Sequence, residues 1–443
     1  MPSSHPTPAL CHWFFWLASA LDCRSAARLV QLFLGAVLAR GRRTVTSWLR
    51  AAGLSAEFRP CDTTVAAAGK RADHIAGRWA CAAVRPLVGD AGRRTLALDD
   101  TPTERYGPPV QGAGVHHNPT PGPAGSPYVY GHVWVVLGLL AAHPAWGVIA
   151  RPLLARLYIR RKDLGGIDPG HRPPFRTKLE LAVDLLHWAV RWLGYWGQAL
   201  WVVADGAYAQ APFLKPMQAL GVTVVSRLRR DAALRTVPGP RPPGRRGPQR
   251  VYGERRIELA KRAGQQRGWT AGTFDLYGKS MVKRYKTFLA TWRPAGGVIR
   301  VVLVDEPTGW VAFFCTDQTA PVADILGCVA GRFALETAFR DCQEVVGAGQ
   351  QQVRFVWASV GSFHLCLWTF TMTEAWAWGR SADRLADRSA SPWDGPTRRP
   401  SHADKRRAWR RELLGEEIRA VLGPGMTERA IQAAAQRLLN LAA

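Results

Sequence analysis

Over the first ninety residues, apolar positions recur at intervals of three and four. The clearest case is the segment 26–39, where four apolar side chains share one helical face: Leu29, Phe33, Val37 and Leu38. Gly41 is expected to end this helix, and Thr44 can cap the next one, which stops at Gly53. The spacing predicts an N-terminal helical domain over residues 1–92, which we interpret as a DNA-end-binding domain.

Arginines surround the turn between these two helices: Arg40, Arg42, Arg43 and Arg50. Two short helices with cations at their joint can enter a DNA groove. An ordinary helical hairpin explains the same pattern equally well, so both interpretations stay open.

From Thr95 the pattern changes to strands. Two short apolar runs each end in an acid, 95–99 at Asp99 and 200–205 at Asp205. A Gly/Pro-rich loop is predicted over 107–127, followed by a long hairpin over 128–159. A capped helix is predicted over 177–192, and a further helix and strand over 206–220 and 222–226. Strands alternating with helices are typical of an α/β layer.

The segment 227–256 breaks this pattern with ten arginines and five prolines, and we predict that it does not pack into a core. Strand-like runs return up to residue 316, one long helix covers 322–346, and a polar, flexible tail over 380–405 precedes two basic helices. After the helical domain, we predict the first part of a core over 93–226 and a basic loop with a β-rich insertion over 227–318. The second part of the core follows over 319–379, and a linker with basic helices over 380–443.

The net charge is the most informative bulk property of the sequence. Lys and Arg number 59 against 33 Asp and Glu, giving a formal net charge of +26 and an isoelectric point near 10.7. Such an excess favours a polyanionic partner, because each neutralised phosphate releases condensed counterions. The alternative is a generally Arg-rich surface without a specific partner.

The eight cysteines are scattered without a CxxC pair, which argues against a zinc module or a disulfide framework and fits a reducing cytoplasm. The apolar start, 13–21, has no basic flank and is interrupted by Asp22, so we do not interpret it as a signal peptide. The apolar run 133–142 is too short to span a bilayer. No membrane role is expected.

The late helix has a polar face that carries an acid between cations. Four residues share that face: Arg332, Glu336, Arg340 and Gln343. An adjacent apolar stripe can seat the helix on a sheet: Leu335, Phe339, Cys342 and Val346. Phe333 lies next to Arg332, where its ring would either stack on an unpaired base or belong to the core.

Asp99, Asp205 and Glu336 together suit phosphodiester chemistry. Open α/β sheets place their sites at the carboxyl ends of strands. Two divalent ions about 4 Å apart can activate the attacking oxygen and stabilise the leaving one, and carboxylates are the ligands that Mg²⁺ prefers. Taken singly, an Asp after a strand is more often a turn or cap residue, and a Glu between arginines is usually a surface ion pair.

Three segments resemble the acidic motifs of DDE transposases: Leu96-Ala-Leu-Asp-Asp-Thr101, Val202-Val-Ala-Asp-Gly-Ala-Tyr208 and Gly331-Arg-Phe-Ala-Leu-Glu-Thr-Ala-Phe-Arg-Asp341. More narrowly, they resemble those of bacterial cut-and-paste insertion sequences that carry a β-rich insertion before the final Glu. The first motif of that family is usually Asp, any residue, then Ser or Thr, which selects Asp99 over Asp100. In the last motif Arg332 and Glu336 match, but Val329 stands for Tyr and Gln343 for Lys.

The resemblance implies an RNase H-like mixed sheet flanked by helices, with Asp99, Asp205 and Glu336 holding two Mg²⁺ or Mn²⁺ ions. It implies cleavage of double-stranded DNA at inverted-repeat transposon ends and strand transfer into target DNA. It also implies a homodimer in the synaptic complex and a bacterial cytoplasmic protein associated with the nucleoid.

We expect DNA contacts from both the late helix and the basic segment: Arg332, Arg340, Gln343, Phe333, Arg227, Arg245 and Arg246. For the adjacent His116 and His117, and for His132, we prefer a structural role. Three other functions remain open: a catalytically impaired relative that only binds DNA, another RNase H-like nuclease, and an Arg-rich RNA-binding protein.

Overall fold

The computed structural model describes nine stretches and a few isolated positions between 427 and 438. The stretches are residues 12–54, 56, 58–81, 92–106, 110–118, 125–194, 197–241, 247–389 and 393–421.

The N-terminal region is helical, as its apolar spacing predicts. Its helices are α1 (His12–Ala18), α2 (Cys23–Leu38), α3 (Val45–Ala51), α4 (Phe58–Lys70) and α5 (Ala72–Trp79). The Asp22 carboxylate caps α2, and the Thr44 hydroxyl caps α3 by accepting from the Ser47 N–H at 3.2 Å. A Cβ on Gly35 would lie 2.1 Å from the Trp48 carbonyl oxygen, so α2 and α3 pack backbone to backbone. Entry of this pair into a DNA groove stays a prediction.

The middle of the chain forms an RNase H-like sheet. Its strands are β1 (Arg93–Glu104), β2 (Gly114–His117), β3 (Tyr128–His143), β4 (Gly147–Tyr158), β5 (Ala199–Ala204) and β6 (Thr223–Leu228). The central order is β4-β3-β1-β5-β6, with β3 antiparallel to both β1 and β4, and β5 parallel to both β1 and β6. Three antiparallel strands followed by two parallel ones confirm the predicted fold class.

The β-rich insertion continues this sheet. Its strands are β7 (Leu234–Arg235), β8 (Arg256–Ile257), β9 (Thr270–Leu276), β10 (Lys279–Trp292), β11 (Gly297–Glu306) and β12 (Gly309–Cys315). Antiparallel pairing of β12 with β6 extends the sheet through β11 and β10 to β7 and β8. The buried residues of the helical region and of the sheet share one continuous apolar core. The domain boundaries predicted from the sequence stay predictions.

The remaining α-helices lie between and after these strands in the chain. They are α6 (Lys178–Leu193), α7 (Ala211–Ala219), α8 (Leu259–Gly264), α9 (Val322–Asp341), α10 (Val356–Ala377), α11 (Ala382–Leu385) and α12 (His402–Val421). The predicted capping box of Thr177 and Glu180 opens α6. Helix α9 continues into a π-helical turn, Cys342–Val346. Helix α10 is buried almost all round because it packs against β4, α2, α4 and α12.

Three sequence predictions need correction. Strand β1 does not end at Asp99 but continues to Glu104 along β3. The predicted loop 107–127 contains β2, which pairs with the start of β3. The basic segment is not wholly outside the fold, because Arg227 pairs in β6, Leu234 is fully buried in β7 and Arg256 pairs in β8.

The predicted tail is also shorter than expected at its C-terminal end. Lys405 lies on α12, is buried, and its ammonium lies 2.5 Å from the carboxylate of Glu374 on α10. Burial alone would raise the pKa of Glu374, but the charge of Lys405 and the hydrogen bond from His402 lower it to about 2. This buried ion pair therefore joins α12 to α10.

Candidate active site

Asp99 and Asp205 come side by side from neighbouring parallel strands. Leu98 of β1 is in register with Ala204 of β5, so the two acids follow at the same level. The Asp205 carboxylate accepts from the Ala207 N–H at 3.1 Å, which fixes the turn after β5. The sheet thus brings together two acids that are far apart in the chain.

Asp99 and its neighbour Asp100 have different partners. Asp100 lies 2.6 Å from the Lys178 ammonium at the start of α6, and the Tyr208 hydroxyl donates to it at 3.4 Å. Asp99 is instead hydrogen-bonded by Arg332 of α9. Successive side chains of a strand point to opposite faces, so only Asp99 faces the helix that carries the third acid.

Arg332 links the first and third acids. Its guanidinium donates to Asp99 and also lies 2.8 Å from the carboxylate of Glu336, one helical turn further on. The predicted apolar stripe seats α9, since Leu335 and Phe339 are buried against the sheet. The polar face of α9 therefore lies directly over Asp99.

The electrostatics of Asp99 favour a cation in this position. Burial raises the pKa of the Asp99 carboxyl to about 7, although the Arg332 charge and the Asp100 N–H lower it. The neighbouring carboxylates of Asp100 and Asp205 raise it further. Positive charge beside Asp99 favours its ionised form, and Arg332 supplies part of that charge.

The donor chemistry fits a divalent metal ion. Asp99, Asp205 and Glu336 offer only hard oxygen ligands, which Mg²⁺ and Mn²⁺ prefer. Within the described stretches of the chain, no three His, Cys, Asp or Glu side chains lie close enough together to hold one ion. Instead the Arg332 guanidinium bridges Asp99 and Glu336, so metal binding by all three acids requires Arg332 to move aside.

The other residues predicted on this helix are placed beside the site. Gln343, in the π-helical turn, donates to the Thr101 hydroxyl at 3.2 Å and to the Pro102 carbonyl at 3.0 Å. Arg340 is exposed and lines the same cleft as Gln343. Phe333 is 55% exposed, so its assignment to the core is wrong, and its ring lies 6.3 Å from that of Tyr277.

The residues predicted in the basic segment are only partly described. The Arg227 side chain is exposed on β6, and its Cβ packs beside Gly206, directly after Asp205. Arg245 and Arg246 lie outside the described residues. Sequence reasoning missed Lys178 and Tyr208, which hold Asp100, and only the adjacent capping box at Thr177 hinted at the position of Lys178.

His132 has a structural environment. The Arg105 Nε–H donates to its Nδ1 at 3.1 Å, and its Nε2 lies 3.1 Å from the Gln111 carbonyl oxygen. Burial lowers the pKa of His132 to about 3, so the ring is neutral.

An RNase H-like sheet with paired acids at its centre and a third acid on a covering helix defines a class of nucleases. The chain belongs to the DDE superfamily endonuclease family, whose model matches residues 17–283. The match includes Asp99 and Asp205 and ends before Glu336. A comparison with curated proteins gave no match. Among the described residues, no helix combines the length and the apolar character needed to cross a bilayer.

Proposed function

We propose that this endonuclease is a transposase that cleaves transposon-end DNA and transfers the cleaved strand into target DNA. The observation that carries the proposal is the arrangement of Asp99 and Asp205 on adjacent parallel strands, with Arg332 bonding both Asp99 and Glu336. Membership of the DDE endonuclease family supports nuclease chemistry on DNA.

The three carboxylates would hold two Mg²⁺ or Mn²⁺ ions. When bound, these ions supply activation of the attacking oxygen and stabilisation of the leaving oxygen. Asp99 and Asp205 would hold them from the sheet and Glu336 from α9. The positive charge of the ions would favour the ionised form of Asp99, whose pKa burial raises to about 7.

Arg332 would change partner during the reaction. In the protein alone its guanidinium compensates Asp99 and Glu336. If metal ions compensated these acids, the guanidinium would be free to bind the phosphate next to the scissile bond with its two-pronged donor geometry. Lys178 and Tyr208 keep Asp100 on the opposite side, away from this exchange.

The proposed partners are inverted-repeat transposon ends and target DNA, bound by a homodimer at the nucleoid of a bacterial cell. The net charge of +26 supports a polyanionic partner.

The decisive experiment replaces each acid by its amide: Asp99→Asn, Asp205→Asn and Glu336→Gln. An amide keeps the shape but loses metal affinity, so cleavage with Mg²⁺ should fall below about 1% of wild type while end binding persists. Even the loss of a group that only supports a metal ligand costs about 10- to 100-fold. Asp100→Asn is the matched control and should cleave normally.

Full nicking by any one amide variant would remove that residue from the site. The alternative function is a catalytically impaired DNA-binding relative. The Gln at 343, where the resembling family has Lys, favours it, and binding of ends without cleavage by the wild-type chain would establish it.

A further inference from the structure

A large cleft opens near the candidate active site, although none of the three acids lines it. It has a volume of about 1120 Å³ and is lined by the end of β1, the end of α9 with its π-helical turn, the loop 348–354 and the turn between α2 and α3. Thr101, two residues after Asp99, and Gln343 both line it. The cleft therefore begins one step along β1 and one turn along α9 from the candidate active site, and it exceeds the space that a drug-sized ligand needs.

Three exposed arginines and the buried Arg105 give this cleft a positive charge. Arg42, Arg340 and Arg354 are exposed, and Glu104 is the one acid among the described lining residues. Its carboxylate accepts from the Tyr106 hydroxyl. Arginines on the wall of a cleft suit phosphate oxygens, because the guanidinium fork matches their geometry.

The other lining residues suit nucleobases. Gln343, Gln350 and Gln352 bring amide groups to the wall of the cleft. The N–H groups of Gln343 already donate to Thr101 and Pro102, so Gln343 can offer its side-chain oxygen to a base edge. Gln350 can offer its N–H groups, and the exposed Gln352 can offer both. The Gln350 side-chain oxygen accepts from the Arg43 N–H at 2.8 Å, which directs this amide from the loop toward the α2–α3 turn. Tyr106 is 75% exposed, so its ring can stack on a base.

We propose that this cleft binds an unpaired DNA strand next to the cleavage site, with Arg42, Arg340 and Arg354 on its phosphates and the amides and Tyr106 on its bases. This inference rests on the proposed function, since it assigns a path to the strand that the three acids cut. An unpaired strand is the occupant that matches an exposed ring and amides together, because base edges and faces are both available only when pairing is lost.

The test measures binding without cleavage, so it does not depend on the catalytic assignment. The background protein carries Asp99→Asn and Glu336→Gln. The probe is a short dye-labelled single DNA strand, and its binding is measured by fluorescence anisotropy. Replacing Arg42, Arg340 and Arg354 together by Gln should flatten the slope of log affinity against log salt by about 2, at about 0.7 for each phosphate of a single strand. Replacing Arg191, Lys215 and Arg293 by Gln removes the same charge from exposed positions outside the cleft and should change the slope much less.

Tyr106 separates stacking from charge. Tyr106→Ala should weaken binding of the single strand about tenfold, whereas Tyr106→Phe keeps the ring and should bind like wild type. A photo-reactive side chain at position 352 of the same background protein should crosslink to the single strand. This measurement tests whether the strand lies in the cleft without removing any arginine.

Equal slope losses in the cleft and control variants, or no crosslink from position 352, would overturn the proposal. A higher crosslinking yield with blunt duplex than with single strand would also overturn it, because the cleft would then bind paired DNA. In another outcome, the acid variants lose cleavage while the salt slope of the variant without the three exposed cleft arginines equals that of its background protein. That result would uphold the proposed function and reject only the binding of a single strand in the cleft.

Discussion

At the scale of single residues, the proposed function gives Arg332 two partners in turn. It compensates Asp99 and Glu336 in the protein alone, and we assign it to a DNA phosphate during the reaction. A guanidinium can do both because its planar fork binds two oxygens side by side, which an ammonium cannot.

Arg332→Lys should therefore lower single-turnover cleavage clearly, by about tenfold, while end affinity changes little. Gln343→Lys restores the cation usual in the resembling family next to Thr101 and should raise cleavage. Both are measured with a labelled transposon end and Mg²⁺ in excess over DNA. If Arg332→Ala cleaved as fast as wild type, Arg332 would be only an ion-pair partner of Glu336.

The three acids proposed for this site carry stronger local sequence signals than the residues around them. Asp99 and Asp205 follow apolar runs, and Glu336 lies on a helix with a clear polar face, so each carries a local signal. The pairing of Asp100 with Lys178 has no such signal, because it joins residues that only the folded sheet brings together. The cleft near the site is likewise assembled from segments that are far apart in the chain.

At the scale of elements, the crossing of α4 and α10 ties the helical region to the sheet. Two glycines make this crossing possible. A Cβ on Gly361 would lie 1.8 Å from the Val65 carbonyl oxygen, and one on Gly69 would lie 2.1 Å from the Trp357 carbonyl oxygen. The two helices therefore touch through their backbones.

Gly361→Ala should lower the free energy of unfolding by about 3 kcal/mol, the upper part of the usual range for overpacking, because the obstacle is backbone rather than a flexible side chain. Gly327→Ala is the matched control within α9. A Cβ there meets nothing within 4 Å, so this variant should gain about 0.5–1 kcal/mol from helix propensity. Denaturant melts of both variants check the prediction, and an unchanged midpoint for Gly361→Ala would show that the helices separate without cost.

Local patterns predicted most helices and central strands, and pairing explains where they failed. Beyond Leu98, strand β1 is paired with β3 but no longer with β5, so Pro102 can sit in it without removing a ladder hydrogen bond. The proline made this stretch resemble a loop. Strands β7 and β8 each have only two residues, and they form because β10 and β7 offer partners, not because Arg and Pro favour strands.

At the scale of the whole molecule, much of the excess positive charge lies in one segment of the chain. The segment 227–256 holds ten of the arginines and is tied into the sheet at both ends, by β6 and β7 on one side and β8 on the other. Arg241 and Arg250 are exposed between these anchors, and Arg250 pairs with Glu254. The segment starts beside Gly206, next to Asp205, so bound DNA would pass near it.

We therefore predict that the middle of this segment clamps DNA and contributes little to folding. Replacing Arg241, Arg245, Arg246 and Arg250 together by Ser should flatten the slope of log affinity for duplex DNA against log salt by about 3 to 4, at about 0.9 for each phosphate. The melting temperature should stay close to wild type, because the anchoring residues, such as the buried Leu234, are untouched. The charge-matched control replaces Lys162, Arg191, Lys215 and Arg293 by Ser, four exposed cations outside the segment. A slope equal to that of the control would mean that the segment is a tolerated insertion, and a large fall in melting temperature would mean that its middle also belongs to the fold.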